Sequence, residues 1–266
     1  MITLCSIASG SSGNCIYIGT ENTHLLVDAG ISAKRMEEGL HSIGVEPDKL
    51  GAILITHEHT DHVQGLSVFS KRHAVPVYAT AGTLTRYLSS GKCSTELAGR
   101  LNEVEYGKSF SVGDIEVSPF AISHDAVKPV SYAFRAGGHK IGMATDLGKY
   151  DETIVESLRE SEILYLEANH DENMLLAGSY PYELKLRIMG GRGHLSNDAA
   201  SELIGRLLHE SLRVIVLGHL SRENNYPELA YETVRQDVCR EWGFPAPAPE
   251  ILVANRDKPS RRLSLE

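Results

Sequence analysis

Residues 52–62 read Ala-Ile-Leu-Ile-Thr-His-Glu-His-Thr-Asp-His, an apolar run that empties into His57, His59, Asp61 and His62. The uninterrupted apolar stretch predicts a buried strand over Leu50 to Thr56. Three imidazoles and a carboxylate directly after it are nitrogen and oxygen donors dense enough to hold a metal ion, a pattern that solvated loop histidines rarely produce.

Working outward, three more donors follow apolar runs. His124 comes after Phe120-Ala121-Ile122-Ser123, Asp146 after Gly142-Met143-Ala144-Thr145, and His219 after Val214-Ile215-Val216-Leu217-Gly218. A lone strand-end histidine is usually structural, but beside the His57–His62 hexad all three become ligand candidates. Sheet termini hold side chains with the small slack that metal–nitrogen bonds of about 2.0–2.1 Å tolerate.

The remaining pattern supplies the scaffold. Strands are expected over Ile2 to Ala8, Cys15 to Gly19, His24 to Val27, Val75 to Ala79, Ile115 to Ile122, Ser131 to Ala136, Lys140 to Thr145, Ile163 to Glu167, Val214 to Leu217 and Ile251 to Ala254. Helices are expected after Ser32 (Met36, Leu40 and Ile43, ended by Gly44), over Thr83 to Leu88 and Asp151 to Arg159, after Asn197 as cap, and from about Glu228 to Trp242. Strands first and mixed elements later predict an α/β chain with two sheets sandwiched between helices, and the 266 residues suit one domain.

Composition narrows the function classes. A formal charge of −9 argues against a broad nucleic-acid-coating surface, although residues 185–222 are locally basic. Cys5, Cys15, Cys93 and Cys239 lie far apart with no C-x-x-C, so neither a disulfide framework nor a thiolate zinc site is expected. Without a basic leader or a membrane-length apolar run, the expected location is the cytoplasm, with no membrane partner.

The ordered set Asp28, His57-x-His59-x-Asp61-His62, His124, Asp146 and His219 resembles the metallo-β-lactamase superfamily, over about residues 2–254. Within it, Ser9-Gly10-Ser11-Ser12-Gly13-Asn14-Cys15, Glu167-Ala168-Asn169-His170-Asp171 and Gly193-His194-Leu195-Ser196-Asn197 resemble the branch of DNA exonucleases typified by YycJ and WalJ. The resemblance implies a four-layer αββα sandwich and a two-metal phosphodiesterase that uses a metal-bridging hydroxide, most specifically a 5′→3′ exonuclease with DNA as partner. By position, His57, His59, His124 and Asp146 would hold one cation. Asp61, His62, His219 and the same Asp146 would hold the other, with Asp28 behind them. Such ligands suit zinc or manganese and are compatible with iron.

Other residues form a second tier. Arg192, Gly193 and His194 precede a helix start and make a phosphate clamp, with His194 a candidate general acid and Asp61 counted with it in the catalytic set. Ser12 and Asn14 offer phosphate contacts or plain turn chemistry; His170 and Asn197 join them as substrate candidates, and Tyr180, Tyr182 and Arg187 either grip a nucleotide or pack the surface. About 24 residues separate His170 from His194, too few for the extra domain of β-CASP ribonucleases. A hydrolase of small or cyclic phosphodiesters is the alternative. An iron redox or binding-only protein is the different class, disfavoured by His59 and by the complete ligand set.

Overall fold

In a computed structural model describing residues 1–266, the chain opens on three antiparallel strands, β1 (Ile2–Ala8), β2 (Cys15–Gly19) and β3 (His24–Val27). Ser32 caps α1 (Ala33–Ser42) by accepting from the Arg35 amide, and Gly44 leaves it at φ 76°, as the sequence predicts. There follow β4 (Leu50–Leu54), α2 (Thr60–Val63), α3 (Leu66–His73), β5 (Val77–Thr80), α4 (Ala81–Ser89), α5 (Thr95–Ala98) and β6 (Leu101–Val104). The second half comprises β7 (Phe110–Val112), β8 (Ile115–Ala121), β9 (Val130–Ala136), β10 (His139–Ala144), α6 (Glu152–Leu158), β11 (Ile163–Glu167), α7 (Glu172–Ala177), α8 (Tyr182–Met189), α9 (Asn197–Leu207), β12 (Val214–Gly218), α10 (Pro227–Glu241), β13 (Glu250–Val253) and β14 (Leu263–Leu265).

The strands form two seven-stranded sheets, in the orders β14-β1-β2-β3-β4-β5-β6 and β13-β12-β11-β10-β9-β8-β7. Their inner faces share one apolar layer, in which Ile16, Leu25, Val27 and Leu54 of the first sheet meet Val117, Tyr132, Phe134 and Met143 of the second. Met36, Leu40 and Phe69 of α1 and α3 cover the outer face of the first sheet. Val155, Leu203, Ile204, Ala230 and Val234 of α6, α9 and α10 cover the second. Both sheets are therefore buried on two sides, which explains why their central strands read as continuous apolar runs.

Three differences from the sequence pattern have physical causes. Ser196, not Asn197, caps α9: its hydroxyl accepts from the Ala199 amide, and Asn197 is the first helical residue. The short edge strands β6, β7 and β14 carry too few apolar residues to show alternation. Leu263–Leu265, to which the pattern assigns no strand, pairs antiparallel with Ile2–Leu4 and covers the β1 edge of the first sheet.

Topology decides where loops gather. β1, β3 and β4 run one way in the first sheet, and β8, β10, β11 and β12 share a direction in the second. The chain leaves those strands at Ser9, Asp28, Ile55, Ile122, Thr145, Ala168 and His219, and the side chains just beyond them converge at one end of the sandwich.

Candidate metal centre

Three of the converging residues turn off their strands in the left-handed region: Asp28 (φ 62°), Asp146 (φ 58°) and His219 (φ 54°). Such backbone costs about 1–3 kcal/mol in non-glycine residues and is kept where the surroundings over-determine it. Here the turn swings each side chain back over the sheet end. Gly218, just before His219, must lack a side chain, since a Cβ would stand 2.5 Å from the Tyr165 hydroxyl. That hydroxyl in turn donates to Ser9 Oγ at 2.7 Å, and Ser9 Oγ accepts from the His219 amide at 2.8 Å, tying the two sheets together behind the site.

His57, His59 and His124 bring one ligand atom each to a common point; Asp61, His62 and His219 do so at a second, and His57, His62 and Asp146 link the two. His124 Nε2 lies 3.3 Å from His59 Nδ1. Asp146 has Oδ2 3.4 Å from His62 Nε2, and Oδ1 3.5 Å from His219 Nε2 and 3.8 Å from His124 Nε2. Asp61 Oδ2 lies 3.4 Å from His62 Nε2 and 3.7 Å from His219 Nε2. Asp146 is thus a carboxylate that faces histidines of both groups.

The opposite ring nitrogens are already used. His57 Nδ1 lies 3.0 Å from Thr56 Oγ1, His62 Nδ1 2.7 Å from Asp28 Oδ2, and His219 Nδ1 2.8 Å from Glu167 Oε1; His124 Nδ1 donates to the Gly193 carbonyl at 3.1 Å. His57 Nε2, His219 Nε2 and Asp146 Oδ2 are buried with no partner in the protein. Buried polar atoms left unpaired at one point are costly, and a cation between them removes that cost. The donor set fits divalent metal.

Electrostatics agree. Burial, with the other imidazoles, pushes His57 well below the ordinary histidine range. Burial opposes charging of His219 as well, yet Asp146, Asp61 and Glu167 outweigh it and raise that ring to about 10. His62 is held well above its usual value, burial being overcome by Asp28, Asp146 and Asp61. Anionic surroundings that draw protons onto histidines draw divalent cations by the same field, releasing those protons.

A cavity of about 240 Å³ opens over this cluster, lined by Ser11, His59, Asp61, Asn169, Tyr180, Arg187, His194 and Ser221 together with the buried ligands. His194 sits at its wall with Nδ1 2.7 Å from Glu167 Oε1. Glu167 is fully buried; its other oxygen accepts from the amides of Leu147 and Leu195. One carboxylate therefore orients both His194 and His219, and the sequence reading did not single it out. The signal was available, because Glu167 ends an apolar strand as Asp146 and His219 follow theirs.

Several second-tier residues lie elsewhere than expected. Arg192 does not line the cavity; its Nε and Nη2 donate to the carbonyls of His124 and Ala126, bracing the ligand loop from behind. Asn197 is buried against Asn225, and His170 is buried with its backbone bridged to Ser196 and Asn197. Asn14 is buried, with Oδ1 accepting from the Gly10 amide and Nδ2 3.1 Å from His62 Nε2, whereas Ser12 is exposed on its turn. Tyr180 and Arg187 line the cavity, while Tyr182 is 70% exposed outside it.

Comparison with known proteins follows the same lines. Residues 23–219 match the β-lactamase superfamily domain. Exodeoxyribonuclease WalJ of Streptococcus pneumoniae serotype 2 is 39% identical over 234 residues, covering 88% of this chain and 87% of that one. Exodeoxyribonuclease YycJ of Bacillus anthracis is 36% identical over 241 residues, 90% and 89% of the two chains. Among solved structures, Zn(2+)-bound PqqB from Methylobacterium extorquens superposes with a TM-score of 0.74 at 15% identity over both full lengths, a likeness of fold. By motif, architecture and sequence, the chain belongs to the β-lactamase superfamily, in the group that includes the exodeoxyribonucleases WalJ and YycJ.

Proposed function

We propose that this protein is a DNA exonuclease that hydrolyses phosphodiesters from the 5′ end with two divalent cations, zinc or manganese by donor type. The observation that carries the reading is the pair of donor groups sharing Asp146, on a chain 39% identical to an exodeoxyribonuclease. His57, His59, His124 and Asp146 would hold one cation, and Asp61, His62, His219 and Asp146 the other. Bound there, the metals supply Lewis-acid polarisation of a phosphoryl oxygen and an activated water at neutral pH.

The chain's own residues do the rest. Asp28 and Glu167 fix the rings of His62, His219 and His194 from behind. Burial disfavours the charged form of His194, but Glu167 and Asp146 overcome it and raise its proton affinity above the ordinary histidine range. A protonated imidazole at the cavity wall, with Nδ1–H committed to Glu167, can pass its Nε2 proton to the leaving oxygen. Arg187 holds Asp125 at 2.5 Å and so fixes the acidic rim beside His59 and His124. Lined mostly by polar groups, the cavity of about 240 Å³ opens directly over the donor cluster.

The test is to load the protein with manganese or zinc and give it single-stranded and duplex DNA and RNA, labelled at either end, alongside a cyclic dinucleotide. The proposal expects short products from 5′-labelled DNA and progressive shortening of 3′-labelled DNA. Cleavage of the small diester with intact DNA would contradict it.

A further inference from the structure

Outside the metal cluster, a cationic rim is built from three distant segments: the turn after β1, the loop after His219, and the segment after β13. Arg256 Nη2 donates to the Leu220 carbonyl at 2.7 Å, while its Nη1 lies 2.6 Å from where a Cβ on Gly10 would be. Gly10 (φ +126°) thus leaves room for a guanidinium against the backbone that leads to Ser11, and Ser11 and Ser221 both line the cavity. Arg222, next to Ser221, is exposed and forms no ion pair, whereas Arg35 nearby is taken by Asp257. Arg222 lies two residues beyond Leu220, whose carbonyl holds Arg256, so both cations belong to the loop after His219 and its packing partner.

The turn itself has spare donors. It closes through the Gly13 amide to the Gly10 carbonyl at 2.9 Å, and the Asn14 amide goes to Asp61, but the amides of Ser11 and Ser12 meet no acceptor in the protein. Adjacent free amides beside cations make a concave site for a tetrahedral anion. The other cations near the cavity are committed, Arg187 to Asp125 and Arg192 to two carbonyls. In a chain of net charge −9, Arg222 is the uncommitted positive charge that this rim offers an anionic strand, with Arg256 held beside it by the Leu220 carbonyl.

We propose that Arg222 and Arg256, with the amides of Ser11 and Ser12, bind a second phosphate of the substrate strand, adjacent to the one at the metal centre. The inference rests on the exonuclease reading and adds a residue set that registers the strand. A diester with a single phosphate does not reach it.

The experiment compares manganese-loaded parent, Arg222→Ala, Arg222→Glu and Arg222→Ala/Arg256→Gln on a single-stranded oligonucleotide and on bis(p-nitrophenyl) phosphate. Arg222→Ala should raise KM for the oligonucleotide about 10-fold and the double variant more, with kcat kept, as expected for lost charge-assisted hydrogen bonds. The salt dependence of binding should fall by about 0.7 per arginine removed. Hydrolysis of bis(p-nitrophenyl) phosphate should be unchanged in Arg222→Ala and Arg222→Glu, which lie on the surface and leave the Leu220 contact intact. Parent-like KM and salt slope in both Arg222 variants would overturn the inference, as would equal losses on both substrates. A parent that cleaves bis(p-nitrophenyl) phosphate but not the oligonucleotide overturns the exonuclease reading itself, and the inference with it.

Discussion

The two sheets contribute to the centre in different ways. The first sheet delivers His57, His59, Asp61 and His62 from one loop after β4; the second delivers His124, Asp146 and His219 from three separate strand ends. Each half also has one buried carboxylate behind its imidazoles, but Asp28 serves His62 and Thr56, whereas Glu167 serves His219 and His194 together. On the proposed reading the first half is a local device for gripping metal, whereas in the second metal binding and proton transfer would both depend on one buried side chain.

Perturbing that contrast should give effects of decreasing size. Asp146→Asn removes the carboxylate common to both halves, and hydrolysis should fall by more than about 10⁴, a loss of the order expected when metal activation of water disappears. His57→Ala and His219→Ala should each leave about one metal per chain, from opposite halves, when metal content is measured after reconstitution. His194→Ala should keep both metals and the fold, yet lower single-turnover cleavage by about 10²–10⁴. A lower melting temperature with normal turnover would instead make His194 structural.

The orienting carboxylates sharpen the comparison further. Asp28→Asn and Glu167→Gln should each weaken metal affinity by about 10–100-fold. At saturating metal, Asp28→Asn should recover parent turnover, while Glu167→Gln stays impaired because His194 has lost its acceptor; equal recovery would erase the proposed difference between the halves. The smallest change is expected for Arg192→Ala, which removes hydrogen bonds to two carbonyls. It should lower thermal stability by about 1–3 kcal/mol with the salt dependence of DNA binding unaltered. A shallower salt slope would return Arg192 to the phosphate.

The same contrast explains what the sequence made legible. Strands buried on both faces announce themselves as apolar runs, so β1 to β4 and β8 to β12 were readable, and with them every donor that follows one. The hexad was legible because its ligands are contiguous. Glu167 was passed over because a single acid at a strand end looks like an ordinary edge residue until the fold brings two histidines to it. Arg192 was misplaced for the opposite reason: proximity to His194 in sequence suggested a shared cleft, but the chain turns at Gly193 and sends the guanidinium behind the His124 loop. The hold of Leu220 on Arg256, 36 residues on, and the pairing of β14 with β1 from the opposite end of the chain are contacts that local pattern does not carry.

The most direct test of the account is the metal content of Asp146→Asn beside the parent, both purified metal-free, reconstituted with zinc or manganese and freed of excess ion. Two ions per parent chain, and loss of metal from both halves in the variant, is the predicted result for a shared carboxylate. A variant that retains the parent's full metal content would contradict it.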